Sequence, residues 1–136
     1  MQRYIGLDVG TKTIGVAVSD PTLLFANGLV TIKRTKVKED IYKILKIIEE
    51  QEVSLIVVGM PYNMDGSVGP MAQRVMSFVD LLKRETDVDI VYADERLTTI
   101  SAEEVLIKQK VRRENRKEHI DKIAASFILQ SYLDSK

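Results

Sequence analysis

Residues 4–20 read YIGLDVGTKTIGVAVSD and predict a β-hairpin that turns at residues 10–13. Side chains alternate on both sides of the turn, which is the period-2 pattern of strands with one buried face. One face is branched and apolar, and the other consists of Gly, Ala and Ser together with Asp8. Small residues let a ligand or another backbone segment approach closely, and a charged group is costly to bury without a partner. Asp8 is therefore a candidate functional residue.

The length and composition predict one globular domain over residues 1–136. Hydrophobic residues make up 45% of the chain, enough to form a core, which excludes the disordered and fibrous classes. The chain has no cysteine, which excludes disulfides, a thiolate zinc site and a cysteine nucleophile. Neither a signal-peptide pattern nor an apolar run of membrane-spanning length is present, so we expect a cytoplasmic protein with no membrane partner.

The remaining periodicity predicts three further strands and four helices. The strands are expected at 27–32, 55–58 and 88–93, and the helices at about 41–48, 70–82, 101–108 and 118–133. The continuous apolar run at 55–58 is typical of a strand covered on both faces. We therefore predict an α/β fold with a five-stranded mixed sheet, its first three strands antiparallel, and helices on both faces.

Basic residues are concentrated in two short runs, although the formal net charge of the chain is zero. Residues 108–117, KQKVRRENRK, contain six basic residues and one acid, and residues 33–38 contain four basic residues. Such runs are either solvated surface or contacts for phosphates, and phosphate contacts give affinity with little sequence information. The residues alone leave both interpretations open.

Several acidic residues are expected near one edge of the sheet. Asp94 and Glu95 follow a predicted strand, and ligands of such sheets bind beyond the carboxyl ends of parallel strands, where Asp8 is also expected. Asp121 lies at the margin of the apolar stripe of the last helix, where it is either functional or a first-turn acid favoured by the helix dipole. Carboxylates that gather repel one another unless they are protonated or share a cation, and oxygen ligands favour Mg²⁺ or Mn²⁺ over zinc.

Four segments together resemble the YqgF-type (RuvX-type) family, which is described as Holliday junction resolvases and as pre-16S ribosomal RNA nucleases. In chain order they are IGLDVGTKTIGVAVSD, VVGMPYNMDGS, ADERLTT and HIDKIAASFILQSYL. The resemblance covers nearly the whole chain and implies a ribonuclease H-like fold. It also implies a metal-dependent phosphodiester hydrolase that acts on nucleic acid with Mg²⁺ or Mn²⁺.

The resemblance further implies which residues form the site. The catalytic and metal-binding set is Asp8, Glu95 and Asp121, which suits a two-metal-ion mechanism with Asp8 as the bridging ligand. On the shared motifs, contacts with the substrate are expected from Asn63, Asp65, Arg96 and Thr98. Their basic charge, rather than the resemblance, makes Lys12 and the basic run with Arg112, Arg113 and Arg116 further candidates for phosphate contacts.

The favoured hypothesis is processing of the 5′ end of pre-16S ribosomal RNA during ribosome biogenesis. The alternatives are resolution of branched DNA, a non-catalytic RNA-binding module, and an actin-like ATP-binding domain suggested by the segment DVGTK. Actin-like ATPases hold nucleotide between two such domains, and this chain supplies one. Ribosome association, the oligomeric state, the choice between RNA and DNA, and any role of Asp94 or His119 are left open.

Overall fold

The computed structural model describes residues 2–94 and 113–135, with side chains for residues 2–94 and 122–135. The helix predicted at 101–108 lies outside the described residues. In chain order the elements are β1 (Arg3–Val9), β2 (Thr13–Ser19), β3 (Ala26–Lys33), α1 (Val37–Glu50), β4 (Val53–Met60), α2 (Pro70–Lys83), β5 (Asp89–Asp94) and α3 (Arg113–Asp134).

The five strands form one mixed sheet in the order β3-β2-β1-β4-β5. The first three strands are antiparallel to one another, with β2 between β1 and β3, whereas β4 is parallel to both β1 and β5. The predicted five-stranded mixed sheet is therefore confirmed. Because β1, β4 and β5 are parallel, their carboxyl ends lie at the same edge of the sheet.

Each face of the sheet has its own apolar core. The main core joins Ile5, Leu7 and Val9 of β1 to the apolar faces of α1 and α2. The second core joins the opposite face of the sheet to α3. Strand β4 contributes Ile56 to the first core and Val57 to the second, so the prediction of a strand covered on both faces is confirmed. Within the described residues, no helix is both long and apolar enough to span a bilayer.

The predicted start of the last helix was wrong. Within the described residues the helix is present from Arg113 onward rather than from about residue 118, so it includes the end of the basic run at 108–117. The apolar periodicity begins only at Ile120 and gave no signal for the preceding turns. Arg, Glu and Lys are nevertheless good helix formers and no Pro or Gly interrupts them, so the helix extends without an apolar face.

Helix α3 packs closely against β1 at Gly6. A Cβ atom at this position would lie 2.8 Å from the Ala125 carbonyl oxygen and 2.8 Å from Leu129 Cβ. Earlier in the strand, the Tyr4 ring lies 6.2 Å from the Tyr132 ring, measured between centroids. Moving forward along β1 thus means moving backward along α3. Helix α3 therefore packs on the small-residue face of the hairpin. The N-terminal half of α3 lies toward the carboxyl end of β1.

Substitution of Gly6 tests this contact. Gly6→Ala should lower the free energy of unfolding by about 1–3 kcal/mol, because the added methyl group meets backbone and forces α3 away from the sheet. Urea denaturation monitored by circular dichroism measures the loss. Gly28→Ala is the matched comparison, since the atom nearest its Cβ is Lys122 Cβ at 3.1 Å. It should cost less than Gly6→Ala, and a Gly6→Ala protein as stable as wild type would contradict the close packing.

Candidate active site

Asp8 lies near the carboxyl end of β1 and is half-buried. It shares the α3 face of the strand with Gly6, because side chains alternate along a strand. Its register partner on β2 is Gly15. On the other side, the pairing of Leu7 with Val58 makes Gly59 the neighbouring residue of β4. Neither neighbour has a side chain, which leaves room beside the Asp8 carboxylate for ligand atoms or for backbone.

The turn that follows Asp8 is anchored by Arg34. The backbone N–H of Arg34 donates to the Lys12 carbonyl oxygen at 2.9 Å, and its Nη1 donates to the Gly10 carbonyl oxygen at 2.8 Å. Its Nε donates to Asp40 Oδ2 at 3.1 Å, and Asp40 is fully buried. Asp40 Oδ1 also accepts from the Thr35 N–H at 3.0 Å. The exposed side chain of Lys12 is therefore presented by a turn held from beneath by a buried ion pair.

No sequence pattern singled out the pair formed by Arg34 and Asp40. Arg34 belongs to the basic run at 33–38, for which solvated surface and phosphate contact were both considered. The structure gives it a structural role as well, because its side chain is only 18% exposed and its charge is matched by Asp40. Asp40 lies in the first turn of α1, where acids are common, so the sequence did not indicate that it pairs with Arg34 before the helix.

Asp94 and Asp8 belong to opposite faces of the sheet. Val91 and Ala93 of β5 pack on the α3 side, whereas Ile90 packs on the side of α1 and α2. By alternation Asp94 belongs with Ile90, and its register partner is Met60. The side chain of Asp94 therefore does not share the face of Asp8.

The other predicted acids are only partly covered by the structure. Glu95 lies outside the described residues. The backbone position of Asp121 lies in α3 one helical turn before Ala125, which contacts Gly6, but its side chain is outside the described part. Among the residues that are described, no three potential metal ligands form a cluster.

The predicted basic and polar contacts divide in the same way. Arg113 and Arg116 lie in the first turns of α3, and their side chains are outside the described part. Arg96, Thr98 and Arg112 are outside the described residues altogether.

Asn63 and Asp65 shape the exposed loop between β4 and α2. Asp65 Oδ1 accepts from the Ser67 N–H at 2.9 Å and from the Ser67 hydroxyl at 2.6 Å. Asn63 Nδ2 donates to the same hydroxyl oxygen at 3.0 Å. Gly66, at φ 87°, adopts the left-handed conformation that the turn requires. These two predicted substrate contacts therefore also hold the conformation of the loop.

The sheet order and the helices on its two faces define a ribonuclease H-like fold. A RuvC from T. thermophilus, solved in complex with a Holliday junction substrate, shares this fold with a TM-score of 0.59, at 15% identity, over 98% of this chain and 96% of that one. The chain belongs to the RuvX family, whose model is described as "Holliday junction resolvase" and matches residues 2–135. The predicted fold and the family resemblance are thus confirmed.

Relatives with higher identity carry a different name. A protein named "Putative pre-16S rRNA nuclease" from Thermoanaerobacter pseudethanolicus is 54% identical, over 98% of this chain and 97% of that protein. A protein of the same name from Clostridium tetani is 50% identical, over 98% of this chain and 96% of that protein. The similarity therefore extends along nearly the whole of both relatives.

Removing one member of the buried ion pair tests the anchor of the turn. Asp40→Ala should lower the free energy of unfolding by about 3–5 kcal/mol, because it leaves the Arg34 charge without its partner. The double variant Arg34→Met, Asp40→Leu should recover part of this loss, since apolar residues often replace a buried pair without penalty, whereas the hydrogen bonds to Gly10 and Thr35 stay lost. Urea denaturation provides the measurement, with the exposed Glu50→Ala on the same helix as control. A loss no larger than that of Glu50→Ala would contradict the anchor.

Proposed function

We propose that residues 1–136 form a single metal-dependent nuclease domain that hydrolyses phosphodiester bonds, with the 5′ end of pre-16S ribosomal RNA as its substrate. The support is the family membership together with about 50% identity, over nearly the full length, to relatives named for this activity. The proposal entails a cytoplasmic location and contact with assembling ribosomal particles.

One observation carries the catalytic part of the proposal. Asp8 lies on the central strand between Gly15 and Gly59, at the sheet edge where the parallel strands end. Its side chain belongs to the face of the sheet that α3 covers. Helix α3 packs closely on this face because Gly6 has no side chain. A strand in the middle of a sheet holds a carboxylate rigidly, and the missing side chains on both sides leave space for ions and phosphate oxygens.

We propose Glu95 and Asp121 as the other two carboxylates. On β5 the α3 side is marked by Val91 and Ala93, and Glu95 follows the last residue of this strand in the sequence. On α3, position 121 precedes by one turn the residue that contacts Gly6, which is the turn toward Asp8. A donor set of three carboxylates and no thiolate suits a hard divalent cation, so Mg²⁺ or Mn²⁺ fits these residues.

The residues of the chain divide the work of the reaction. Asp8, Glu95 and Asp121 would hold divalent cations, which would neutralise charge on the phosphate and lower the pKa of the water that attacks phosphorus as the 3′-oxygen leaves. Lys12 and the arginines at 112, 113 and 116 contact phosphates flanking the cut. Asn63 and Asp65, in the loop after β4, border the substrate, and Arg96 and Thr98 are proposed as further contacts with it.

Branched DNA is the second candidate substrate, because the family model is described by Holliday junction resolution. A resolvase must cut two strands and would need two copies of the site, as in a symmetric dimer. Cleavage of a four-way junction in preference to the RNA precursor would favour this alternative, and ATP hydrolysis would favour the actin-like interpretation.

The metal site is tested by Asp8→Asn. Wild type with Mg²⁺ or Mn²⁺ should cleave a pre-16S RNA, and EDTA should abolish this cleavage. Asp8→Asn should reduce the cleavage rate more than about 100-fold. Removing a group that only hydrogen-bonds to a metal ligand already costs about 10–100-fold, and removing the ligand itself should cost more. Gel-based cleavage assays give the rates on the RNA precursor and on a four-way DNA junction. Phosphate release gives the rate of ATP hydrolysis.

Asp89→Asn is the matched control, since this exposed acid lies at the opposite end of β5. It should cleave at the wild-type rate. Cleavage that continues undiminished in EDTA or in Asp8→Asn would overturn the metal-dependent proposal, and a protein that binds the precursor without cleaving it would be a binding module.

The basic run is tested by the salt dependence of binding. Replacing Arg112, Arg113 and Arg116 together by Gln should weaken RNA binding and reduce the slope of log K against log salt concentration by about 0.7–0.9 for each phosphate that the variant no longer neutralises. Fluorescence anisotropy from 50 to 300 mM salt, roughly the range where such slopes are resolved, supplies the measurement. The matched control replaces the exposed Lys43, Lys46 and Lys83 by Gln. An equal effect of both triple variants would exclude a specific role for the run.

A further inference from the structure

A groove of about 700 Å³ begins at the turn that follows Asp8, on the face of the sheet that carries α1 and α2. One wall is formed by residues 9–11 of the turn, by Arg34 and Thr35 before α1 and by Val37 at its start, and the other wall is formed by α2. Three residues span at most about 10 Å, so Thr11 lies within about 10 Å of Asp8 along the chain. The volume lies within the range of small-ligand sites.

The polar groups of the groove suit an anion. Its cationic residues are Arg34 and Arg74, and its hydroxyl groups come from Thr11, Thr35 and Ser77. None of the described residues that line it is acidic. Arg74 is exposed, and the contact recorded for its guanidinium is a weak one, from Nη1 to Met71 Sδ at 3.6 Å. Asp40 matches the charge of Arg34, and the Thr35 hydroxyl donates to Glu39 Oε2 at 2.7 Å. Among the described residues, Arg74 therefore supplies the net positive charge of the groove, and Thr11 and Ser77 supply neutral donors.

Arg34 has hydrogen-bond capacity that the described protein does not use. A guanidinium carries five N–H donors. The hydrogen bonds recorded for Arg34 are from Nε to Asp40 and from Nη1 to Gly10. Its side chain is only 18% exposed and stacks over Phe78, with Cζ 5.1 Å from the ring centroid. Buried donors without acceptors are costly, so a guanidinium held in this way along a groove is suited to a ligand oxygen.

The groove also has exposed apolar surface. Val37 and Leu81 line it, both are more than one-third exposed, and both also line the neighbouring groove between α1 and α2. The groove thus offers both cationic and apolar groups. A nucleotide carries the two matching groups, a phosphate and a base.

We propose that this groove binds one nucleotide of the substrate strand next to the cut, with its phosphate at Arg34, Arg74 and Thr11 and its base at Val37 and Leu81. The inference rests on the proposed nuclease function, because the groove starts at the residue that follows Asp8. The substrate strand would then pass around the hairpin tip, from the acidic site on one face of the sheet to the groove on the other face.

Charge reversal tests the phosphate end. In the Asp8→Asn background, which prevents cleavage, Arg74→Glu should weaken binding of a single-stranded RNA about fivefold or more and flatten the salt slope by about 0.7–0.9. Lys83→Glu reverses an exposed charge on the same helix outside the groove and should change neither quantity. Equal effects of the two variants, or none from Arg74→Glu, would overturn the inference.

Nuclear magnetic resonance of the wild-type protein without metal tests the groove independently of cleavage. Uridine monophosphate should produce saturable shifts of the backbone amides of Thr11, Thr35 and Gln73, and uridine or inorganic phosphate alone should produce weaker ones. No saturable shift at these amides, or equal shifts from phosphate alone, would overturn the nucleotide site. If Asp8→Asn abolishes cleavage while the groove amides do not shift, only this inference fails. If the groove fills but no substrate is cut, only the nuclease proposal fails.

Discussion

The contact between Gly6 and α3 determines the geometry of the candidate site. A Cβ atom at this position would lie 2.8 Å from a backbone oxygen of the helix, so a larger residue requires the helix to move. The contact between Tyr4 and Tyr132 sets the direction of the crossing, and together the two contacts bring the N-terminal half of α3 toward Asp8. The proposed meeting of Asp8 with Asp121 depends on this one close approach, because the two residues are far apart in the chain.

The hairpin tip is held from the opposite face of the sheet. Arg34 bonds to both Gly10 and Lys12, and the fully buried Asp40 fixes its guanidinium. Asp8 therefore lies between two anchors, with α3 on one face and the ion pair on the other. If the acids hold the scissile phosphate and the groove holds its neighbour, the same short turn separates the two subsites. Rigidity at the tip would then fix the distance between them.

The sequence predicted the features that depend on local periodicity. The alternation in β1 and β2 indicated the hairpin and set Asp8 apart, and the apolar run in β4 indicated a strand covered on both faces. The beginning of α3 carries no apolar period and was missed. The pairing of Arg34 with Asp40 joins a loop to a helix, and the groove needs the packing of α2 against the turn, so neither leaves a pattern in the sequence. The separation of Asp94 from Asp8 likewise required the register of three strands.

The most direct test of a metal site at Asp8 is paramagnetic broadening of amide resonances by substoichiometric Mn²⁺. Broadening falls steeply with distance from the ion, so its centre locates the site. The amides of Gly15, Gly59 and residue 121 should broaden first, and Asp8→Asn should remove this effect at the same Mn²⁺ concentration. Broadening centred on Asp20 or on residues 87–89, or a pattern unchanged in Asp8→Asn, would contradict the account.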